Sequence, residues 1–451
     1  MNAKTLTQSL NFQSTTVRPT MQRTLMMSMI ALSMGGMSVA AQAQTQQQTE
    51  IEQLRQEVQA LRGLIEQQKV QNTQTANAIA NVQRSSASPS SILKTAKGAE
   101  FNLYGNVRLD ASYQVEGGAV DMPYNQIHGV PLEGNKEQSD RLRSTLSATR
   151  LGLDFKSPVG DQDLKGKIEV DFLGGSKLDN LRIRHAYLNY GNWLIGQTWS
   201  NFAIPDYMPE TIDALAFVGG SVKRTPQVRH TTKFSPQTNL VVAVEDPKDK
   251  LVTDKVIDQR LPALTARLNH QFADNLNVSV RAMGHEKRVN SEEEMAWGVG
   301  VGAKYEVVPG TTLKADYYHV KGDSSFVTFT NPGVLVKDGS LIQSEFDSIM
   351  VGITQKFGDK VHGTLGYGYM SFDKDPNYIA ATKDTTTINK DLWQAWANVF
   401  YSPRKPLSFG LEYVYGEREA FGPALDKDTK QPISGRTGED NRINAVAIYN
   451  F

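Results

Sequence analysis

Strict alternation of apolar and polar residues over long stretches is the feature that most limits what this chain can fold into. Phe101, Leu103, Gly105, Val107, Leu109, Ala111 and Tyr113 occupy one phase of the first stretch; Asn102, Tyr104, Asn106, Arg108, Asp110 and Ser112 occupy the other. The split recurs in Leu164-Gly166-Ile168-Val170-Phe172 against Lys165-Lys167-Glu169-Asp171. It recurs again in Leu276-Val278-Val280-Ala282 against Asn277-Ser279-Arg281. Successive side chains of a strand point to opposite faces, so a period of two gives each strand one apolar and one polar face. A water-soluble sandwich alternates too. Strand length and connections decide between the two. The pattern predicts about sixteen strands, at 101–115, 144–157, 163–173, 181–190, 193–201, 224–235, 239–246, 261–273, 275–287, 294–308, 311–322, 344–357, 360–372, 391–402, 407–418 and 440–451. Connections after even strands are short, such as Gly191-Asn192, Pro309-Gly310 and Gly358-Asp359. Those after odd strands are mostly long and polar: 116–143, 202–223, 323–343, 373–390 and 419–439. Short turns on one side and long loops on the other characterise transmembrane barrels, periplasm against exterior. The fold class expected for residues 93–451 is an all-β transmembrane barrel of about sixteen antiparallel strands.

Composition agrees with that reading. Mean hydropathy is negative, as it is for barrels whose strands average apolar with polar positions. The 48 basic residues match the 48 acidic ones, which leaves no global excess to attract nucleic acid. There is no cysteine, so disulfides and thiolate metal sites are excluded.

Three segments precede the barrel. Lys4, Arg18 and Arg23 lead into an apolar run, Leu25 to Val39, and then Ala41-Gln42-Ala43. This is the layout of a secretory signal peptide over residues 1–43, and Met21 offers an alternative start. Its removal takes away three basic groups and leaves 45 basic against 48 acidic residues, a formal charge of −3. Residues 44–84 carry Ile51, Leu54, Val58, Leu61 and Ile65 at alternating steps of three and four, then Gln68, Asn72 and Thr75 in the same register, then Ile79 and Val82. That is a heptad stripe, predicting a short α-helical coiled coil in the periplasm. β-Branched residues at one core position with Leu at the other favour a dimer, and the polar layers weaken that inference. An amphipathic helix lying on its own chain is the alternative. Residues 85–92, rich in Ser with one Pro, form a linker.

The last strand presents Ile443, Ala445, Ala447, Tyr449 and Phe451 in one phase. This aromatic ending resembles the signature that barrel assembly machinery reads on outer-membrane proteins. Tyr113, Tyr187, Tyr190, Trp193, Trp393, Trp396, Tyr401, Tyr413 and Tyr449 lie near strand ends, where interfacial girdles are expected. The heptad segment, Phe101-Asn-Leu-Tyr-Gly-Asn-Val-Arg-Leu-Asp110, Leu181-Arg-Ile-Arg-His-Ala-Tyr-Leu-Asn-Tyr-Gly191 and Gly196-Gln-Thr-Trp199 together resemble the DcaP-like family of trimeric outer-membrane porins. The resemblance implies a homotrimer in the outer membrane, among its lipid and lipopolysaccharide, and passive uptake of small anionic solutes such as dicarboxylates. No cofactor is implied.

Sixteen strands enclose an aqueous lumen. Its inward charges set selectivity. Alternation places Arg108, Arg150, Lys165, Lys167, Arg229, Arg267 and Arg281 on the polar face. Arg182 and Arg184 share a face, while His185 and Asn189 lie in the opposite phase. A basic wall on neighbouring strands would concentrate anions, with Lys165, Lys167, Arg182 and Arg184 contributing most. Glu169, Asp171 and Asp154 oppose it, and a lumen of mutually neutralised pairs is the competing expectation. The connection 202–223 is unusually apolar, with Phe202, Ile204, Tyr207, Met208, Ile212, Leu215, Phe217 and Val218. Such a loop is costly in water. Folding into the barrel mouth buries it, narrows the channel and sets Lys223 and Arg224 at its base; packing on a neighbouring subunit is the alternative. Catalysis has little support: the seven His residues lack metal-ligand spacing, and there is no nucleophile elbow. A second function class is a structural tether, in which the coiled coil links the envelope and the pore is incidental.

Overall fold

The computed structural model describes residues 92–451 except 96–97, 119–121, 136–138, 176–177, 248–259, 290–291, 373, 424–425, 427, 430 and 433–434. Ser86–Phe451 forms one compact unit. The expected signal peptide and coiled coil lie outside the described residues.

Sixteen antiparallel strands close into a barrel among the described residues. They are β1 (Glu100–Glu116), β2 (Arg141–Thr145 and Arg150–Val159), β3 (Gln162–Gly174), β4 (Asn180–Tyr190), β5 (Trp193–Trp199), β6 (Arg224–Lys233), β7 (Thr238–Glu245), β8 (Ala263–Ala273), β9 (Leu276–Val289), β10 (Glu292–Val308), β11 (Thr311–Lys321), β12 (Glu345–Lys356), β13 (Val361–Ser371), β14 (Asn389–Arg404), β15 (Leu407–Ala420) and β16 (Thr437–Asn450). Every strand ends within three residues of the bounds read from alternation. The break in β2 was not foreseen. Each strand pairs with its sequence neighbours. β1 closes the ring by pairing with β16, from Asn106↔Asn450 to Glu116↔Asn441. Closure joins the first and last strands, the condition for a sheet to span a bilayer. Phe451 completes the seam: its N–H donates to the Gly105 carbonyl at 3.0 Å, and its carbonyl accepts from Gly105 at 3.2 Å.

The two phases behave as expected. Leu103, Val107, Leu109, Ile168, Leu188, Ile195, Val280, Val301 and Leu411 are exposed on the outer surface, as lipid-facing residues must be. Asp110, Ser112, Gln114, Glu169, Asp171, Ser279 and Arg281 are buried on the inner one. Tyr113, Tyr190, Trp193, Tyr401, Tyr413 and Tyr449 are exposed, consistent with girdles. Trp396 and Tyr187 are corrections to that list. Trp396 is buried inside and donates Nε1 to the Glu210 carbonyl at 3.0 Å. Tyr187 pairs with inward Lys167 and shares its phase.

A β-bulge resolves the conflict on β4. The register slips between Glu169↔His185 and Val170↔Ile183. The extra residue lets Arg184 and His185 both point inward, and both are buried. Arg182 keeps the inner phase above the bulge and Asn189 keeps it below, while Leu181, Ile183, Leu188 and Tyr190 face out.

Candidate functional site: the lumen and its constriction

The connection between β5 and β6 folds into the barrel. Phe202, Ala203, Ile204, Tyr207, Met208, Ile212, Phe217 and Val218 are buried. The loop lies against the inner wall of β9–β15. Tyr207 donates its hydroxyl to Asn277 at 2.7 Å, Lys314 donates to the Met208 carbonyl at 2.9 Å, and the Ile212 N–H donates to Glu412 at 2.9 Å. His362 pairs with the Glu210 carboxylate at 2.8 Å. Arg108, on β1, donates to the Ile212 carbonyl. Glycines in the inner phase of the wall make room. A Cβ on Gly302 would stand 2.3 Å from the Tyr207 ring, one on Gly352 2.6 Å from Pro209, and one on Gly368 1.8 Å from the Val218 carbonyl oxygen. The loop thus fills the lumen along β9–β15, with Arg108 of β1 reaching it from the other side.

Three other external connections also turn inward, which the sequence reading did not foresee. Tyr124, Ile127 and Val130 from the β1–β2 connection, Phe326 and Val327 from β11–β12, and Tyr378 and Ile388 from β13–β14 are all buried. Most of them join Phe202, Val218, Met370 and Phe372 in one apolar cluster. Asn125 joins the β1–β2 connection to the constriction loop: its N–H donates to Asp213 at 2.7 Å and its Nδ2 to the Ala216 carbonyl at 3.0 Å. Its Oδ1 accepts from Gln394 and Arg442, at 3.0 and 3.1 Å. Burial pushes the Asp213 carboxyl up to about 7, against the Arg442 guanidinium 3.6 Å away and two backbone N–H donors.

The basic residues fall into two groups. One is paired. Arg108 binds Asp110, with Nη2 at 2.6 Å. Lys167 binds Asp154 at 3.1 Å and the Tyr104 hydroxyl at 2.8 Å. Arg182 forks onto Asp171 at 2.9 and 2.7 Å. Arg184 spans Glu169 at 2.6 Å and Asp171 at 3.1 Å. Arg281, fully buried, is held by Asp316 and the Tyr318 hydroxyl. Lys223 donates to the Pro247 carbonyl at 2.5 Å, at the loop base as expected. The other group has no carboxylate within 4.0 Å among the described residues: Arg150, Arg224, Arg229 and Arg267. Arg150 sits in the row Asn106–Arg150 beside the Glu169–Arg184 cluster. Arg267 lies directly opposite Arg281 across the β8–β9 ladder. Lys165 is exposed at the periplasmic end of β3. Thus neither a simple basic wall nor a fully neutralised lumen describes the interior. Paired clusters alternate with unpaired guanidiniums.

Inward cations that sequence reasoning missed are Lys287, Lys314, Arg418 and Arg442. Lys287 lies 3.4 Å from buried Asp323, Arg442 binds Asp440 at 3.0 Å, and Arg418 donates to the His128 carbonyl at 2.7 Å. The alternation that puts Ile443 outside already assigns Arg442 to the lumen.

The family model for DcaP outer membrane proteins matches residues 36–451. The chain belongs to the DcaP family of outer-membrane channels. The crystal structure of the outer membrane channel DcaP of Acinetobacter baumannii is 38% identical, matches 80% of this chain and 99% of that one, and superposes with a TM-score of 0.72. OmpF of Salmonella typhi, solved with daunomycin, is 15% identical, covers 80% of this chain and 100% of its own, and has a TM-score of 0.51. An anion-selective porin from Comamonas acidovorans is 12% identical, with coverages of 78% and 100% and a TM-score of 0.50. These last two share the fold. No curated protein matches this DcaP-family chain. As a member of the family it is an outer-membrane channel, and the loop-narrowed lumen is its passage.

Proposed function

We propose that this channel passes small anions by diffusion, with dicarboxylates favoured, and that it works as a homotrimer with residues 44–84 in the periplasm. One observation carries the anion reading: Arg150, Arg229 and Arg267 have no carboxylate within 4.0 Å among the described residues. Fixed positive charge in a low-dielectric tube raises the local concentration of anions. It offsets hydration lost in the narrow zone without trapping the solute, provided that no single site is too strong. The paired residues Arg182, Arg184 and Lys167 add hydrogen-bond donors beside that charge. A guanidinium fork suits a carboxylate. Same-face residues along a strand lie about 6.8 Å apart and adjacent strands about 4.8 Å apart, which suits the two ends of a four- or five-carbon diacid. The experiment is current block in planar bilayers with succinate against acetate. Succinate is expected to block at lower concentration, and Arg150→Gln with Arg229→Gln to remove most of the difference. Equal block by both acids overturns the dicarboxylate reading.

A further inference from the structure

The constriction loop carries two exposed carboxylates, Asp206 and Glu210, among covered neighbours: Ile204, Tyr207, Met208 and Pro209 are buried. The loop lies inside the barrel, so its exposed side chains face the water of the passage. Glu210 is engaged, with His362 2.8 Å from its carboxylate. Asp206 has no cation within 4.0 Å among the described residues. Its place is nevertheless set. Pro205 fixes φ at the start of a short 3-10 turn, Pro205–Tyr207, and the turn packs on β10 and β11. Tyr207 closes over Gly302 and donates to Asn277 at 2.7 Å.

This turn brings Asp206 to the unpaired guanidinium on β8. The Arg281 guanidinium lies 5.5 Å from the centre of the Tyr207 ring, and Arg281 stands opposite Arg267 across the β8–β9 ladder. Asp206 is near enough to Arg267 for its charge to act on that guanidinium. The other cations around the turn have partners nearer to hand. Arg281 is held by Asp316. Lys314, which faces Lys304 across the β10–β11 ladder, donates to the Met208 carbonyl at 2.9 Å. Arg267 keeps a buried Nε without a hydrogen-bond partner. Asp206 and Arg267 are thus opposite charges facing the same water, close enough to act on one another and too far apart to bond. A diacid gains nothing at Asp206. A solute with an acid at one end and an ammonium at the other engages both: the guanidinium fork takes its carboxylate, and Asp206 takes its ammonium in a charge-assisted hydrogen bond.

We propose that the constriction holds a two-point contact for zwitterionic solutes, Asp206 receiving an ammonium and Arg267 a carboxylate, so that short ω-amino acids pass as well as anions. This rests on the reading of Arg267 as an anion contact. The test is swelling of liposomes that hold the full-length purified protein, in γ-aminobutyrate against erythritol, an uncharged solute of similar size. The wild-type channel should admit γ-aminobutyrate faster. Asp206→Asn should lower that rate about two- to fivefold, the range for one solvent-exposed ion pair, and leave erythritol unchanged. Asp206→Glu, which keeps the charge, should keep the preference. Current block by succinate separates the two readings, since Arg267→Gln should weaken it and Asp206→Asn should not. Succinate block that survives Arg267→Gln contradicts the anion reading of Arg267. An unchanged γ-aminobutyrate rate in Asp206→Asn overturns the two-point contact, whatever succinate does. So does an equal change for γ-aminobutyrate and erythritol, which would mark an altered pore width instead.

Discussion

Within the lumen, a basic residue's contribution depends on whether a carboxylate lies beside it. Arg182 and Arg184 share buried Asp171 and Glu169. Removing one of these guanidiniums strands a buried charge, which costs about 3–5 kcal/mol. Arg184→Gln should therefore lower thermal stability in detergent. Arg150→Gln and Arg267→Gln strand no partner carboxylate and should lower stability less than Arg184→Gln, yet move the reversal potential. Alternation read from the sequence placed Arg108, Arg150, Lys167, Arg229, Arg267 and Arg281 on the inner face. It could not pair them with Asp110, Asp154 or Asp316, because pairing depends on cross-strand register and rotamers. Nor could it foresee the bulge at Arg184 and His185, where one extra residue changes the phase. Asp213 carries a pH dependence. Its carboxyl is raised to about 7 by burial, so its contribution to holding the constriction loop is complete below the ordinary Asp range and is lost as pH rises through 7. Current fluctuations of the open channel should grow as pH rises from about 4 to about 7 in the wild type and then level off, and Asp213→Asn should flatten that profile.

At the scale of elements, the constriction loop and the glycines of β10, β12 and β13 are one design. The loop's apolar composition announced that it would be buried. Its landing site was also written in the sequence, as inner-phase glycines at 302, 352 and 368, although their meaning appears only once the loop is seen against them. Gly352→Val puts side-chain atoms where Pro209 now packs; overpacking of this kind costs about 1–3 kcal/mol and should displace the loop. Single-channel conductance should rise, and deletion of 205–217 should raise it further. An unchanged conductance in the deletion would mean that the loop is not what narrows the pore. The connections 117–140, 322–344 and 372–388 were harder to read. Their apolar residues are scattered among Gly, Asn and Asp, and only the tertiary cluster around Phe326 and Tyr378 shows that they turn inward.

For the whole molecule, the barrel was legible because sixteen strands repeat one physical rule, and closure follows from the pairing of β1 with β16. Assembly is a separate matter, argued from the family resemblance. The heptads of 44–84 carry Gln68, Asn72 and Thr75 in the core register, and buried polar layers cost stability. Truncation of 44–90 should leave trimers intact in native electrophoresis, and monomers would show that the coiled coil is the main glue. Mature protein from outer membranes should begin at Gln44 by N-terminal sequencing. The central claim is that unpaired guanidiniums make the passage anion-selective, and zero-current reversal potential across a tenfold KCl gradient tests it most directly. The wild-type channel should show the sign for chloride preference, and Arg150→Gln with Arg229→Gln and Arg267→Gln should move the potential toward zero, with the difference shrinking at high salt as screening grows. A cation-selective wild type, or a triple variant with an unchanged potential, would contradict the account.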